Sequence, residues 1–152
     1  MFGASPVFVT DWQMEEDKES MAFDTCQQVF VYGTLKKGFG NHVLLMSSEF
    51  VGEAETKPNF TMYDLGPFPA ISMIGRDKII GEVYKMDNQF VLERIDRLEG
   101  HPSHYQRFLI ETSRGPCYTY IMPYTRASER SMGIVRSGVW KSKHQRAIDN
   151  AE

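Results

Sequence analysis

Short apolar runs broken by glycine and proline fill most of this 152-residue chain, and one internal segment alone has a strong helical pattern. The runs are rich in β-branched and aromatic residues, which favour strands. They lie at 28–32, 52–56, 60–65, 69–74, 79–86, 105–111 and 116–124. Many short strands with one strong helix are typical of an α+β domain. The pattern therefore predicts a curled mixed sheet or small barrel rather than a doubly wound parallel sheet.

The strong helical pattern is NQFVLERIDRLEG, residues 88–100. Asn88 is suited to cap its N-terminus, and Gly100 is suited to end it. Two shorter helices are predicted, one through HVLLMSS with Asn41 as its cap and one in the charged C-terminal run VWKSKHQRAIDN.

Composition excludes several classes of protein. The chain is 41% hydrophobic and 24% charged, as in ordinary globular proteins, and its net charge of -3 gives no basic excess for nucleic acid or an anionic membrane. No apolar run reaches the length of about 20 residues that crosses a bilayer. The two cysteines are too few for a disulfide framework, so we expect reduced thiols and a cytoplasmic location.

Residues 1–24 are predicted to form a loosely ordered N-terminal extension, followed by one domain at 25–152. The extension is polar and acidic through DWQMEEDKES, and it lacks the positive charge and apolar stretch of a signal peptide. Met21 would also serve as a start codon. A partner-binding arm is a less favoured alternative, and no protein partner is predicted.

The stretch VFVYGTLKKGFG, residues 29–40, has the glycine spacing of a P-loop without its chemistry. A P-loop ends in Gly-Lys-Ser/Thr, whereas Phe39 and Gly40 occupy the lysine and hydroxyl positions here. A strand that ends at Gly33 can instead leave consecutive backbone N–H groups free to bind a small anion. The alternative is a tight turn with Gly33 in a left-handed conformation, and the residues alone leave both open.

One carboxylate of the strong helix falls on its apolar side. At about 100° per residue, Glu99 lies roughly 80° from Val91, between Ile95 and Leu92. Burial of an unpaired carboxylate is costly and raises its pKa toward neutrality, where it can shuttle protons. The alternative is that Glu99 turns outward into water, although negative charge at a helix C-terminus opposes the macrodipole.

Three segments together resemble the γ-glutamylcyclotransferase superfamily, specifically its AIG2-like and γ-glutamylamine cyclotransferase branch. They are FVYGTLKKG (30–38), GEVYKMD (81–87) and IDRLEGHPSHYQR (95–107), and the resemblance covers residues 27–140. It implies a small mixed β-barrel-like sheet flanked by helices. It also implies an enzyme that cyclises a γ-glutamyl amine or γ-glutamyl amino acid and releases 5-oxoproline and a free amine.

The resemblance assigns roles to two parts of the chain. Glu99 matches the family's general base, which then acts as general acid. The matching substrate loop, which binds largely through backbone groups, is Tyr32, Gly33, Thr34 and Leu35. The ligand is then a small molecule, and the chemistry needs no metal and no cofactor. The wall that contacts the leaving group is predicted to include residues 58–71.

Tyr105 and Tyr124 are secondary candidates for substrate contact. Tyr105 matches an aromatic position of the family, and Tyr124 is predicted to end the last strand near the same cleft. Core packing is the favoured alternative for both. The family often has Gly-Asp-Trp near its end, where this chain has Gly138, Val139 and Trp140. A different function for the same fold is an inactive small-molecule-binding or regulatory module.

Overall fold

The computed structural model describes residues 11–150. The elements in chain order are α1 (Asp11–Thr25), β1 (Gln28–Val31), a 3₁₀ helix (His42–Leu45), β2 (Glu49–Glu55), β3 (Phe60–Asp64), β4 (Pro69–Asp77), β5 (Ile80–Lys85), α2 (Gln89–Glu99), β6 (Gln106–Thr112), β7 (Gly115–Ile121), α3 (Tyr124–Arg130) and α4 (Lys143–Asn150). All seven predicted strands are present, and the predicted α+β class is confirmed.

Five strands form one mixed sheet in the order β2-β5-β1-β7-β6, and β3 pairs with β4 in a separate hairpin. The central strand β1 runs antiparallel to β5 and parallel to β7. Its residues Val29, Phe30 and Val31 are all buried, as expected for a continuous apolar run covered on both faces. One buried cluster contains Val29 and Val31, and a second, on the other face, contains Phe30.

The sheet curls until its two edge strands meet at one end. Thr56, just after β2, forms a bridge with Thr112 of β6. The backbone N–H of Ser113 donates to the Glu55 carbonyl oxygen, and the N–H of Glu55 donates to Ser113 Oγ, each at 2.9 Å. This closure gives the barrel-like shape that the sequence predicted.

Helix α2 begins and ends at the predicted residues. The Asn88 side chain accepts a hydrogen bond from the Phe90 N–H at 2.9 Å, and Gly100 has a left-handed backbone with φ of 67°. The apolar side chains Val91, Leu92 and Ile95 are fully buried against the sheet. The helix therefore holds its last turn, which carries Glu99, at a fixed place beside β1.

Two local predictions near the other helices are wrong. The last strand ends at Ile121, so Tyr124 begins the unpredicted helix α3 instead of ending a strand. Pro123, which lacks an N–H and has φ of -54°, precedes this helix and suits the start of one. The Asn41 side chain does not cap the 3₁₀ helix, because it donates to Thr34 Oγ1 at 2.9 Å.

Helix α1 occupies residues 11–25, where the sequence predicted a loosely ordered extension; residues 1–10 lie outside the described part. Tyr118 of β7 donates its O–H to the Ala22 carbonyl oxygen at 2.7 Å, and Arg107 of β6 pairs with Glu19 at 3.2 Å. Contacts with distant strands stabilise this helix, and local sequence does not reveal them. No helix between residues 11 and 150 is long and apolar enough to cross a membrane.

Candidate active site

A cavity of about 410 Å³ opens where β1 ends, a size typical of small-ligand sites. Its walls come from the loop after β1, the segment before β4, the end of α2 and one residue of β7. The lining residues include Tyr32, Gly33, Thr34, Leu35, Pro69, Glu99, Tyr105 and Tyr120. The structure thus brings Glu99, the 32–35 loop and Tyr105 together, although Leu35 and Glu99 are 64 positions apart in sequence.

Glu99 carries the carboxylate of this cavity. Burial raises the pKa of Glu99 from 4.5 to about 7. Within the described residues, no hydrogen bond or ion pair involves the carboxylate. Nothing there offsets the cost of removing its charged form from water. The residue is half-buried as a whole, and it lines the cavity. A carboxylate with this pKa can both accept and donate a proton near neutral pH.

Three carbonyl groups of the 32–35 loop already accept hydrogen bonds from neighbouring residues, so they are not available to a ligand. The carbonyl oxygen of Gly33 accepts from the Lys36 N–H at 3.0 Å, and that of Thr34 accepts from the Asn41 N–H at 3.0 Å. The Leu35 carbonyl accepts from His42 Nδ1 at 2.9 Å. The N–H groups of Gly33, Thr34 and Leu35 have no backbone acceptor among the described residues. The loop therefore has donors to spare for an anionic or carbonyl oxygen.

Gly33 is required for close packing and not for an unusual backbone angle. Its φ is not among the positive values of the described glycines, so the left-handed turn considered from the sequence is wrong. A Cβ at this position would lie 2.9 Å from Cγ and Cδ of Pro69, which is buried on the facing wall. Only glycine lets the two walls approach this closely.

Two buried tyrosines tie the walls together. Tyr105 donates its O–H to the Pro69 carbonyl oxygen at 2.8 Å, and Tyr32 donates to the Tyr120 carbonyl oxygen at 2.6 Å. Burial and, to a lesser extent, the nearby Glu99 carboxylate raise the pKa of Tyr105, so its phenol stays protonated and keeps its role as donor. Tyr105 thus lines the cavity and packs in the core, and its contact with a substrate stays a prediction.

Residues 29–142 match the family model of gamma-glutamyl cyclotransferase, AIG2-like. The chain belongs to this family. It is 41% identical over 112 residues to a provisionally named gamma-glutamylcyclotransferase of Vibrio cholerae, which covers 74% of this chain and 93% of that protein. It is 31% identical over 113 residues to the gamma-glutamylcyclotransferase family protein YtfP of Escherichia coli, with 74% and 95% covered.

Solved structures agree with the family assignment. The mouse AIG2-like protein has a TM-score of 0.65 and 27% identity, with 78% of this chain and 92% of that chain covered. An uncharacterized Pyrococcus horikoshii protein gives the same TM-score at 24% identity, over 84% and 98% of the two chains, and so shows the fold alone. Every cavity-lining residue lies inside the family match, whereas α1 and α4 lie outside it.

The site residues predicted from the sequence of this AIG2-like protein omit part of the cavity lining and include one residue that lies outside it. Tyr124 does not line the cavity, and its side chain on α3 is 47% exposed. Tyr120 does line it, and its only sequence signal was the aromatic alternation of β7. Leu98 of α2 also lines the cavity and is 43% exposed.

The predicted wall at 58–71 contributes Pro67, Phe68 and Pro69 to the cavity. His104 also lines it, next to Tyr105, and burial and the neighbouring cations Arg126 and Arg130 lower its pKa. Across residues 11–150, no group of three or more His, Cys, Asp or Glu side chains is arranged to hold a metal ion.

Proposed function

We propose that this AIG2-like protein cyclises a γ-glutamyl amine or γ-glutamyl amino acid, releasing 5-oxoproline and a free amine. Glu99 acts first as general base and then as general acid. The observation that carries the proposal is an unpaired carboxylate with a pKa of about 7, placed in a cavity with the backbone donors of the 32–35 loop. Family membership supports the reaction class.

The reaction is intramolecular. The α-amine of the γ-glutamyl group attacks the γ-carbonyl carbon, a new C–N bond closes the five-membered ring, and the original γ-amide C–N bond breaks. Both reacting groups belong to one molecule, so the site has to fold the substrate into a near-attack shape. The close packing of Gly33 against Pro69 limits the cavity to a folded substrate of small size.

Glu99 moves the proton. The α-amine is mainly protonated at neutral pH, so it first releases one proton to solvent and reacts as the neutral amine. As its nitrogen attacks, the Glu99 carboxylate takes a second proton from it. The same group then delivers a proton to the leaving nitrogen, which departs as a neutral amine. Because the pKa of Glu99 lies near 7, neither transfer is strongly uphill.

The 32–35 loop binds the substrate. Its free N–H groups hold either the α-carboxylate or the γ-carbonyl oxygen, on which negative charge develops in the transition state. Backbone donors fixed by the Gly33, Thr34 and Leu35 carbonyl contacts are already oriented before the substrate binds. This arrangement supports charge stabilisation without a cationic side chain at the loop.

The test is release of 5-oxoproline from γ-glutamyl-ε-lysine, γ-glutamyl-alanine, glutathione and a γ-glutamyl alkylamine. Wild type is compared with Glu99→Gln and with Glu93→Gln, a matched control on the same helix whose carboxylate pairs with Arg97 away from the cavity. Turnover of one substrate, lost in Glu99→Gln and kept in Glu93→Gln, is expected. No turnover by a folded wild-type protein on any of them would favour the binding-module alternative.

A further inference from the structure

A buried cluster of charges lies directly behind the cavity. The Arg107 guanidinium of β6 pairs with Asp96 of α2, and it also contacts both carboxylate oxygens of Glu19 at 3.2 and 3.3 Å. The side chain of Arg107 is only 13% exposed, that of Asp96 9% and that of Glu19 11%. Charged and polar side chains this deeply buried are held in place by their partners, because an unpaired one is costly.

The cluster reaches the cavity through Asp96. Tyr120, which lines the cavity, donates its O–H to Asp96 Oδ1 at 2.5 Å, and its carbonyl oxygen accepts from Tyr32. Asp96 is also one helical turn before Glu99, and its carbonyl oxygen accepts from the His101 N–H at 2.9 Å. The position of Asp96 thus affects one wall of the cavity and the turn that carries the carboxylate.

The surroundings of Glu19 favour its protonated form. Two carboxylates face one guanidinium, and burial together with Asp96 raises the pKa of Glu19 to about 8 against the opposing effect of Arg107. Other described groups near the cluster are two phenols of β7 and the His101 imidazole, whose Nδ1 accepts from the backbone N–H of Arg107 at 3.0 Å. Tyr120 bonds to Asp96, and the ring of Tyr118 lies 5.1 Å from the Arg107 guanidinium. At neutral pH the protonated Glu19 is therefore a neutral bridge between Asp96 and Arg107.

We infer that Glu19 is a positioning residue for the cavity: from helix α1 it completes the Arg107–Asp96 pair, which in turn holds Tyr120 and the last turn of α2. Glu19 and the whole of α1 lie outside the family match at 29–142, so the family model assigns them no role. The inference rests on the proposed function, because it concerns the same cavity.

The first test compares 5-oxoproline release by wild type, Glu19→Ala, Glu19→Gln and Asp17→Ala in the full chain. Asp17 is a matched control on the exposed side of α1. Glu19→Ala is expected to lower kcat/KM by roughly threefold to tenfold, the effect of losing one charge-assisted contact behind the site. Glu19→Gln should keep most of the wild-type kcat/KM, because its amide can both donate to Asp96 and accept from Arg107.

The pH profile separates positioning from a general loss of stability. Above about pH 8 Glu19 loses its proton, so two carboxylates then oppose each other across Arg107 and wild-type activity should fall. The substrate α-amine becomes a better nucleophile over the same range, so the substrate does not cause this fall. Glu19→Gln cannot lose the proton, and its activity should stay level above pH 8. A fall of equal size in both proteins would contradict the inference.

Amide hydrogen exchange tests the inference without any turnover. Wild type and Glu19→Ala are compared at one pH, and faster exchange is expected in residues 95–105 as well as in α1. A change confined to α1, or no change relative to Asp17→Ala, would overturn the inference. If no substrate is turned over, the proposed function fails, while exchange at 95–105 still decides the role of Glu19.

Discussion

The phenolic oxygen of Tyr105 lies 2.8 Å from the carbonyl oxygen of Pro69, 36 residues away in sequence. Tyr105 follows the turn after helix α2, and Pro69 begins β4, so this bond joins the carboxylate side of the cavity to the opposite wall. Both residues are buried. This hydrogen bond therefore helps to set the distance across the cavity beside Glu99.

Tyr105→Phe should loosen this wall without leaving a large void. The variant keeps the ring but leaves the buried Pro69 carbonyl without its donor, which costs about 1–3 kcal/mol in the free energy of unfolding. Denaturant unfolding measures this cost, and kcat/KM should fall with it. Tyr124→Phe is the control, because that tyrosine lies on α3 outside the cavity and should behave as wild type.

Glu99→Gln should abolish catalysis while keeping the fold. Loss of a positioned general acid–base typically lowers the rate by about 10²- to 10⁴-fold. Binding of 5-oxoproline, measured by thermal shift or calorimetry, should persist because the 32–35 loop is intact. Turnover within about tenfold of wild type would show that another group moves the proton, since one factor of ten is only 1.36 kcal/mol.

Activity should rise with pH through about 7 as Glu99 loses its proton and becomes a base. Stability should change in the opposite direction. The folded protein holds this proton up to about pH 7, whereas the unfolded chain releases it near 4.5, so stability falls as pH rises between these values. The slope for one proton is at most about 1.4 kcal/mol per pH unit. Glu99→Gln, compared by thermal unfolding across this range, should remove that part of the slope.

Gly33→Ala should narrow or distort the cavity, because the new Cβ would meet Pro69 at 2.9 Å. We expect KM to rise and kcat/KM to fall by roughly tenfold or more, as for a small misplacement of a bound substrate. Gly40→Ala is the matched control in the same loop, where a Cβ meets nothing within 4 Å and φ is not positive. Equal effects of the two substitutions would show that general loop flexibility matters, and not the contact with Pro69.

The sequence predicted those parts of the site whose signals are local. The strand before Gly33, the caps of α2 and the position of Glu99 on the apolar side all follow from short-range patterns, and the structure contains each of them. Tyr120 could not be assigned, because its role comes from Asp96 and Tyr32 on two other elements. Helix α1 was missed for the same reason, since strands far along the chain hold it. Tyr124 was misplaced when the alternating pattern was extended through Pro123.

The meeting of β2 and β6 through Thr56 and Thr112 affects how the protein behaves at high concentration. An exposed edge strand offers unpaired backbone groups on which another chain can add a strand, a common start of aggregation. At this end of the barrel the two edges satisfy each other through Glu55 and Ser113. A neighbouring molecule finds no unpaired edge at this end of the barrel, so the curl of the sheet disfavours edge-to-edge joining of separate copies there.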